Sequence, residues 1–146
     1  MDSKFLPSDY NGETITLIAG RGRYPALLTE IIKSKRIPLK LISIKGETED
    51  SLITEFSSED HISLYLGKIN QLLKILRSSE TKYVILAGQI KPNRLFKDLN
   101  PDIKLISILA RIKELNAETI FGTLVEEINN QGCCVLDARS FLDDHL

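Results

Sequence analysis

Gly20-Arg21-Gly22-Arg23-Tyr24-Pro25 and Gly88-Gln89-Ile90-Lys91-Pro92 are the two stretches of this chain whose residue types and spacing could do chemistry. Each follows an apolar, β-branched run, Ile15–Ala19 in the first case and Tyr83–Ala87 in the second. A buried strand that ends in glycine lets backbone come close to a ligand where a Cβ would obstruct it. Basic side chains beside those glycines select an anion, most simply a phosphate. The candidate binding residues are Gly20, Arg21, Gly22, Arg23, Gly88, Gln89 and Lys91, with Arg94 and Lys45 as further cations. Each also has a plainer reading: the glycines suit ordinary tight turns, Lys91-Pro92 can be only a turn, and Arg23 and Arg94 suit solvated loop charges. The two stretches make a site only if they meet in space.

Other chemistries fit poorly. Gly20-x-Gly22-x-x-Pro25 lacks the third glycine of the dinucleotide fingerprint, and the second strand ends in Ile44-Lys45 rather than an acid for a ribose. Glu47 lies too late to supply it. The absence of Gly-Lys-Ser/Thr excludes a P-loop. His61 and His145 are isolated and read as surface or packing residues. Glu47, Glu49, Asp50, Glu59 and Asp60 read as a solvated loop rather than a divalent-ion site. The adjacent Cys133-Cys134 have no zinc spacing and cannot form an ordinary disulfide with each other, so one thiol is expected in the core. No catalytic or metal-ligating residue is assigned.

The elements that must position the two stretches follow from periodicity. At 146 residues with 42% hydrophobic and 27% charged content, the chain has the size and composition of one globular domain. Nineteen Lys+Arg against 20 Asp+Glu leave no global field for nucleic acid or an anionic membrane, so charge recognition must be local. No apolar run has the length of a membrane span, and the Met1-Asp2-Ser3-Lys4 start lacks a signal-peptide core, so a cytoplasmic protein is expected.

Residues 1–13 read as a loose lead-in, and 14–146 as a single domain. Strands are expected at 14–19, 39–44, 62–66, 83–87 and 133–136. Between them, Pro25 opens a helix running to about Lys35, and Gly67 precedes one marked by Ile69, Leu72, Leu73 and Leu76. Residues 46–60 read as loop, and 91–100 as a loop carrying Phe96. Pro101 opens a helix with the apolar stripe Ile103, Ile106, Leu109 and Ala110. Asn116 caps the next, with Ile120, Phe121, Leu124, Val125 and Ile128 on one face and Gly132 as its stop. Ser140–Leu146 looks like the start of a further element.

Alternating strands and helices predict an α/β fold: a three-layer αβα sandwich around a mainly parallel five-stranded sheet. In the order 3-2-1-4-5, strand order reverses between strands one and four, and open α/β sheets bind ligands at such a point. The loops leaving these strands are the two glycine turns, and the cations beside helix N-termini there suit a pyrophosphate.

Ile18-Ala19-Gly20-Arg21-Gly22-Arg23-Tyr24-Pro25, Leu66-Gly67-Lys68-Ile69, Ala87 through Phe96 and Asn100-Pro101-Asp102 together resemble the N-terminal domain of the LpxI family. The likeness runs from about Thr14 to the C-terminus in motif order. It implies a Rossmann-like domain that contacts substrate in a UDP-2,3-diacylglucosamine pyrophosphatase of lipid A biosynthesis. The implied reaction is Mg²⁺-dependent hydrolysis to UMP and 2,3-diacylglucosamine 1-phosphate (lipid X). The metal ligands are expected on a C-terminal catalytic domain absent from this chain, so the segment alone is expected to be inactive. The implied partners are UDP-2,3-diacylglucosamine, that catalytic domain and a second copy of the chain, with peripheral inner-membrane contact through the lipid substrate. Gln89 stands where many relatives carry a second basic residue, and Ala117-Glu118 where they often carry an acidic pair. The competing class is a non-catalytic nucleotide-binding or interaction module on the same scaffold. A nicotinamide-binding enzyme is disfavoured by the missing glycine and acid.

Overall fold

Five short runs pair into one parallel sheet in the order β3-β2-β1-β4-β5. They are β1 (Ile15–Ala19), β2 (Leu39–Ile44), β3 (His61–Leu64), β4 (Tyr83–Ala87) and β5 (Cys134–Val135). The computed structural model describes residues 4–89, 102–114 and 116–143. Lys91 and Arg94, the loop expected at 91–100 and the helix start expected at Pro101 lie outside the described residues. The strand order and the parallel pairing are those expected from the sequence.

β1 and β4 sit at the centre and are buried along their whole length. Side chains of a strand alternate between faces, so each strand feeds two cores. Ile18, Ile42, Ile44, Val84 and Leu86 join one core, and Ile15, Leu17, Leu41, Tyr83 and Ile85 join the other. This double burial explains why β1 and β4 read as continuous apolar runs without polar alternation.

α1 (Tyr24–Ser34) covers the second of these faces with Leu28 and Ile32, and α2 (Asp50–Ile53) adds Leu52. The sequence offered no periodicity for α2 because four residues make only one turn. α3 (Ile69–Ser78), α4 (Ile103–Arg111) and α5 (Ala117–Asn130) cover the opposite face.

α5 begins as its sequence suggests. Asn116 accepts from the Thr119 amide at 3.0 Å, and the Thr119 hydroxyl accepts from the Asn116 amide at 3.2 Å. Gly132, at φ +93°, follows its last turn. α4 keeps part of its expected stripe: Leu109 packs against the core, Ile103, Ile106 and Ala110 are exposed, and Ile108 is buried in their place.

Two segments at the chain's ends fold onto the sheet. Tyr10, within the expected lead-in, is buried with its ring 4.9 Å edge-on from Tyr83. Phe141 and Leu142 fill the same core, so the 140–143 stretch closes this face. The Cys133 thiol, as expected, is in the core; it donates to the Thr81 carbonyl at 3.2 Å, and burial pushes its pKa up.

Candidate functional site

The loops leaving β1 and β4 meet. Their strands are paired in register from Ile15–Tyr83 to Ala19–Ala87, and the pairing continues past the strand ends. The Gly20 amide donates to the Ala87 carbonyl at 2.7 Å. Arg21 and Gln89 then exchange two backbone hydrogen bonds, each 2.8 Å, in an antiparallel bridge. Gly88 makes this reversal possible with φ +95°, a region in which a Cβ crowds its own backbone.

Glycine is required here because the loops press on each other. A Cβ on Gly20 would lie 2.5 Å from the Gln89 carbonyl oxygen, and one on Gly88 would lie 2.7 Å from the Gly20 carbonyl carbon. Gly22 differs: its φ of +109° suits glycine, but a Cβ there would meet nothing within 4 Å. Two glycines are therefore filled by the opposing backbone, while the third faces open space.

The cations are handled separately. Arg21 reaches towards the loop after β2, where its Nη2 donates to the Gly46 carbonyl at 2.8 Å and its Nε lies 3.4 Å from Glu47 Oε2. The Glu47 side chain is fully buried. Arg23 is exposed at the N-terminal boundary of α1, and its side chain makes no hydrogen bond or ion pair among the described residues. The first turn of α1 has no side-chain cap, so its open amides add partial positive charge beside Arg23. Lys45 turns towards β3, where its ammonium sits 4.5 Å from the Tyr65 ring centroid. Gln89 is exposed at the bridge.

Sequence reasoning missed Glu47 and Thr48 as parts of this region. Glu47, assigned to a solvated loop, is buried. The Thr48 hydroxyl donates to the Ala19 carbonyl at 2.6 Å and accepts from the Ile44 amide at 2.7 Å, tying β1 to β2 where both end. The available signal was Gly46, at φ +84° directly after a buried strand, which reverses the chain over the strand ends. Asp102 was also given no role. Its amide donates to the Gly67 carbonyl at 3.0 Å and its carboxylate accepts from the Asn70 amide at 2.6 Å, in the first turn of α3. That places Asp102 of the Asn100-Pro101-Asp102 motif against the Leu66–Ile69 motif.

Beside Gly22 and Arg23 a groove of about 900 Å³ runs between α1 and α2, with Tyr24, Leu27, Glu49 and Leu52 among its walls. The joined loops therefore have a solid backbone floor towards β4 and an open side towards α2. Among the described residues, no group of three or more His, Cys, Asp or Glu is placed to hold a metal ion.

A parallel sheet whose order reverses between β1 and β4, with glycine loops and a helix N-terminus at that reversal, defines a Rossmann-like α/β domain; open sheets of this class bind ligands at such a reversal. The chain belongs to the LpxI N-terminal domain family, whose model matches residues 14–145. Membership connects it with LpxI-related function in lipid A biosynthesis. Comparison with curated proteins finds no match.

Proposed function

We propose that this domain is the substrate-contacting half of an LpxI-type hydrolase that splits UDP-2,3-diacylglucosamine into UMP and lipid X. The observation that carries the reading is the junction of the β1 and β4 loops beside Arg23, which has no ion pair among the described residues, in a domain matched by the family over residues 14–145. An anion at that junction meets a guanidinium, open helix amides and the unobstructed Gly22 backbone together. In this reading Gly22 and Arg23 face the diphosphate, Gly20 and Gly88 build the floor, and Gln89 borders it. Lys91 supplies a second cation.

Diphosphate hydrolysis also needs a positioned water and neutralisation of the charge that develops on the phosphate oxygens. Mg²⁺ supplies Lewis-acid chemistry of that kind. The described residues do not fit a Mg²⁺ site, so we assign its ligands to a catalytic domain beyond this one and derive no step through it here. The chain by itself then binds nucleotide without turning substrate over. The described helices include none long and apolar enough to cross a membrane. We place the domain in the cytoplasm, meeting the membrane through its lipid substrate, with the catalytic domain and a second copy of the chain as its partners.

Calorimetric titration with UDP tests the reading. The expected result is binding by the wild-type chain and at least about tenfold weaker binding by Arg23→Ala, the scale of one charge-assisted hydrogen bond. Equal binding by the two proteins removes the role of Arg23. Binding of UDP together with failure of a longer natural form to hydrolyse UDP-2,3-diacylglucosamine in Mg²⁺ favours the non-catalytic module.

A further inference from the structure

Arg21 and Arg23 are two residues apart, both cationic and both partly exposed, yet the fold uses them differently. Arg21, in the loop after β1, touches the loops after β2 and β4 as well. Its backbone is bridged to Gln89, and its side chain crosses to Gly46 and Glu47. Gly22 follows with no neighbour where a Cβ would lie, and Arg23 follows with no side-chain partner among the described residues. A fastened residue, a glycine facing open space and an exposed cation thus succeed one another along the chain.

We infer that Arg21 is a positioning residue rather than an anion ligand. Acting through Glu47, it fastens the β1 loop so that Arg23 is presented at the mouth of the groove. This rests on the nucleotide reading above for its ligand, but the fastening itself is independent of any ligand.

The chemistry favours this division. Arg21 already commits Nη2 to the Gly46 carbonyl and turns Nε to Glu47, whose side chain has no solvent exposure, so an anion that pulled the guanidinium away would draw it off a buried carboxylate. Drawing a cation off a buried carboxylate is unfavourable, because water is not there to screen the charge. An incoming phosphate is also repelled by Glu47 if it approaches Arg21 from the same side. Arg23 has no ion pair to break among the described residues, and the groove it lines carries Lys33 as well as Glu30, Glu49 and Glu55. The planar guanidinium matters too: one Arg can donate to the Gly46 carbonyl and face Glu47 at once, whereas a lysine ammonium is a point donor.

The direction of one effect separates this role from direct ligation. Glu47→Gln keeps shape but removes a negative charge. Were Arg21 an anion ligand, that change would free its charge and tighten UDP binding. As a fastener it loosens, so we expect about tenfold weaker UDP binding, with a comparable loss in Arg21→Lys although charge is kept. In an Arg23→Ala background, the same Glu47→Gln change is expected to alter affinity less than about twofold, since its effect runs through Arg23. A purely structural role lowers stability equally in both backgrounds and produces no such dependence.

Amide hydrogen exchange supplies the ligand-free readout: exchange at the Arg21 and Gln89 amides should accelerate in Glu47→Gln. Tighter UDP binding by Glu47→Gln, or equal losses with and without Arg23, overturns the inference. If wild-type chain does not bind UDP, the proposed function fails instead. Exchange then decides alone: acceleration at Arg21 and Gln89 upholds the fastener, and unchanged exchange rejects it.

Discussion

Gly88 and Gly20 are held against each other, and their substitution should differ sharply from that of Gly22. Gly88→Ala combines a positive φ with a Cβ 2.7 Å from Gly20, so it is expected to destabilise by about 3 kcal/mol or more. Gly22→Ala meets open space and carries only the conformational penalty, about 1 kcal/mol. Denaturant unfolding of the two variants checks the order, and equal losses would contradict it. At this scale the sequence was legible in kind: glycine is demanded where it was expected. The reason was hidden, because a sequence does not say whether a ligand or another loop fills the missing Cβ. Glu47 was illegible for a related cause. An acid among Glu49, Asp50, Glu59 and Asp60 looks solvated until Arg21, far earlier in the chain, is seen to reach it.

Pairing of α4 with α5 depends on a carboxylate between two cations. Glu127 lies 2.7 Å from Arg111 Nη2 and 3.1 Å from the Lys104 ammonium. Burial alone would push its carboxyl up, but hydrogen bonds from Arg111 and Lys104 outweigh burial and hold it below the usual value of 4.5. Folding therefore favours the charged form. Its contribution is complete above pH 4.5 and disappears as pH falls through the lower, folded value. Glu127→Gln is expected to cost about 1–2 kcal/mol at neutral pH, discounted because both cations are substantially exposed. That difference should shrink steadily below pH 4.5 in thermal unfolding, and a difference independent of pH would refute the assignment.

These two helices also show what periodicity conveys. α5 was legible from its Asn116 cap to its Gly132 stop because both signals are local. The stripe of α4 was legible at Leu109 but not at Ile103 and Ile106, because several isoleucines lie on one short apolar helix and only packing selects Ile108.

For the whole molecule, the strand order was legible because crossover handedness and the two buried central strands leave few arrangements. The closure of one sheet face by both ends of the chain was not. Tyr10 and Phe141 are far apart in sequence, and neither belongs to a periodic segment. In the fold their rings lie 6.5 Å apart, with Tyr10 also against Tyr83. Tyr10→Ala is expected to destabilise by about 3 kcal/mol through loss of this packing. Burial first, then the Glu13 carboxylate and Tyr83, push the Tyr10 phenol up to about 12 from 10. Its share of stability is full below pH 10 and is lost as pH rises through about 12, since folding opposes the phenolate. Tyr10→Phe should weaken that alkaline loss while keeping the ring packing, as monitored by unfolding between pH 9.5 and about 12.5.

The central claim is that one end of the sheet, where β1 and β4 meet, receives the anionic ligand. The opposite end has its own cavity of about 330 Å³, where Lys40 and Lys82 stand beside Glu13 and Glu80, and it is the alternative location for a ligand. Amide chemical-shift mapping of UDP on the labelled chain separates the two most directly. The account predicts shifts concentrated at residues 20–24 and 88–89, saturating with the calorimetric affinity. Shifts centred on Thr14, Lys40 and Thr81, with residues 20–24 unmoved, would contradict it.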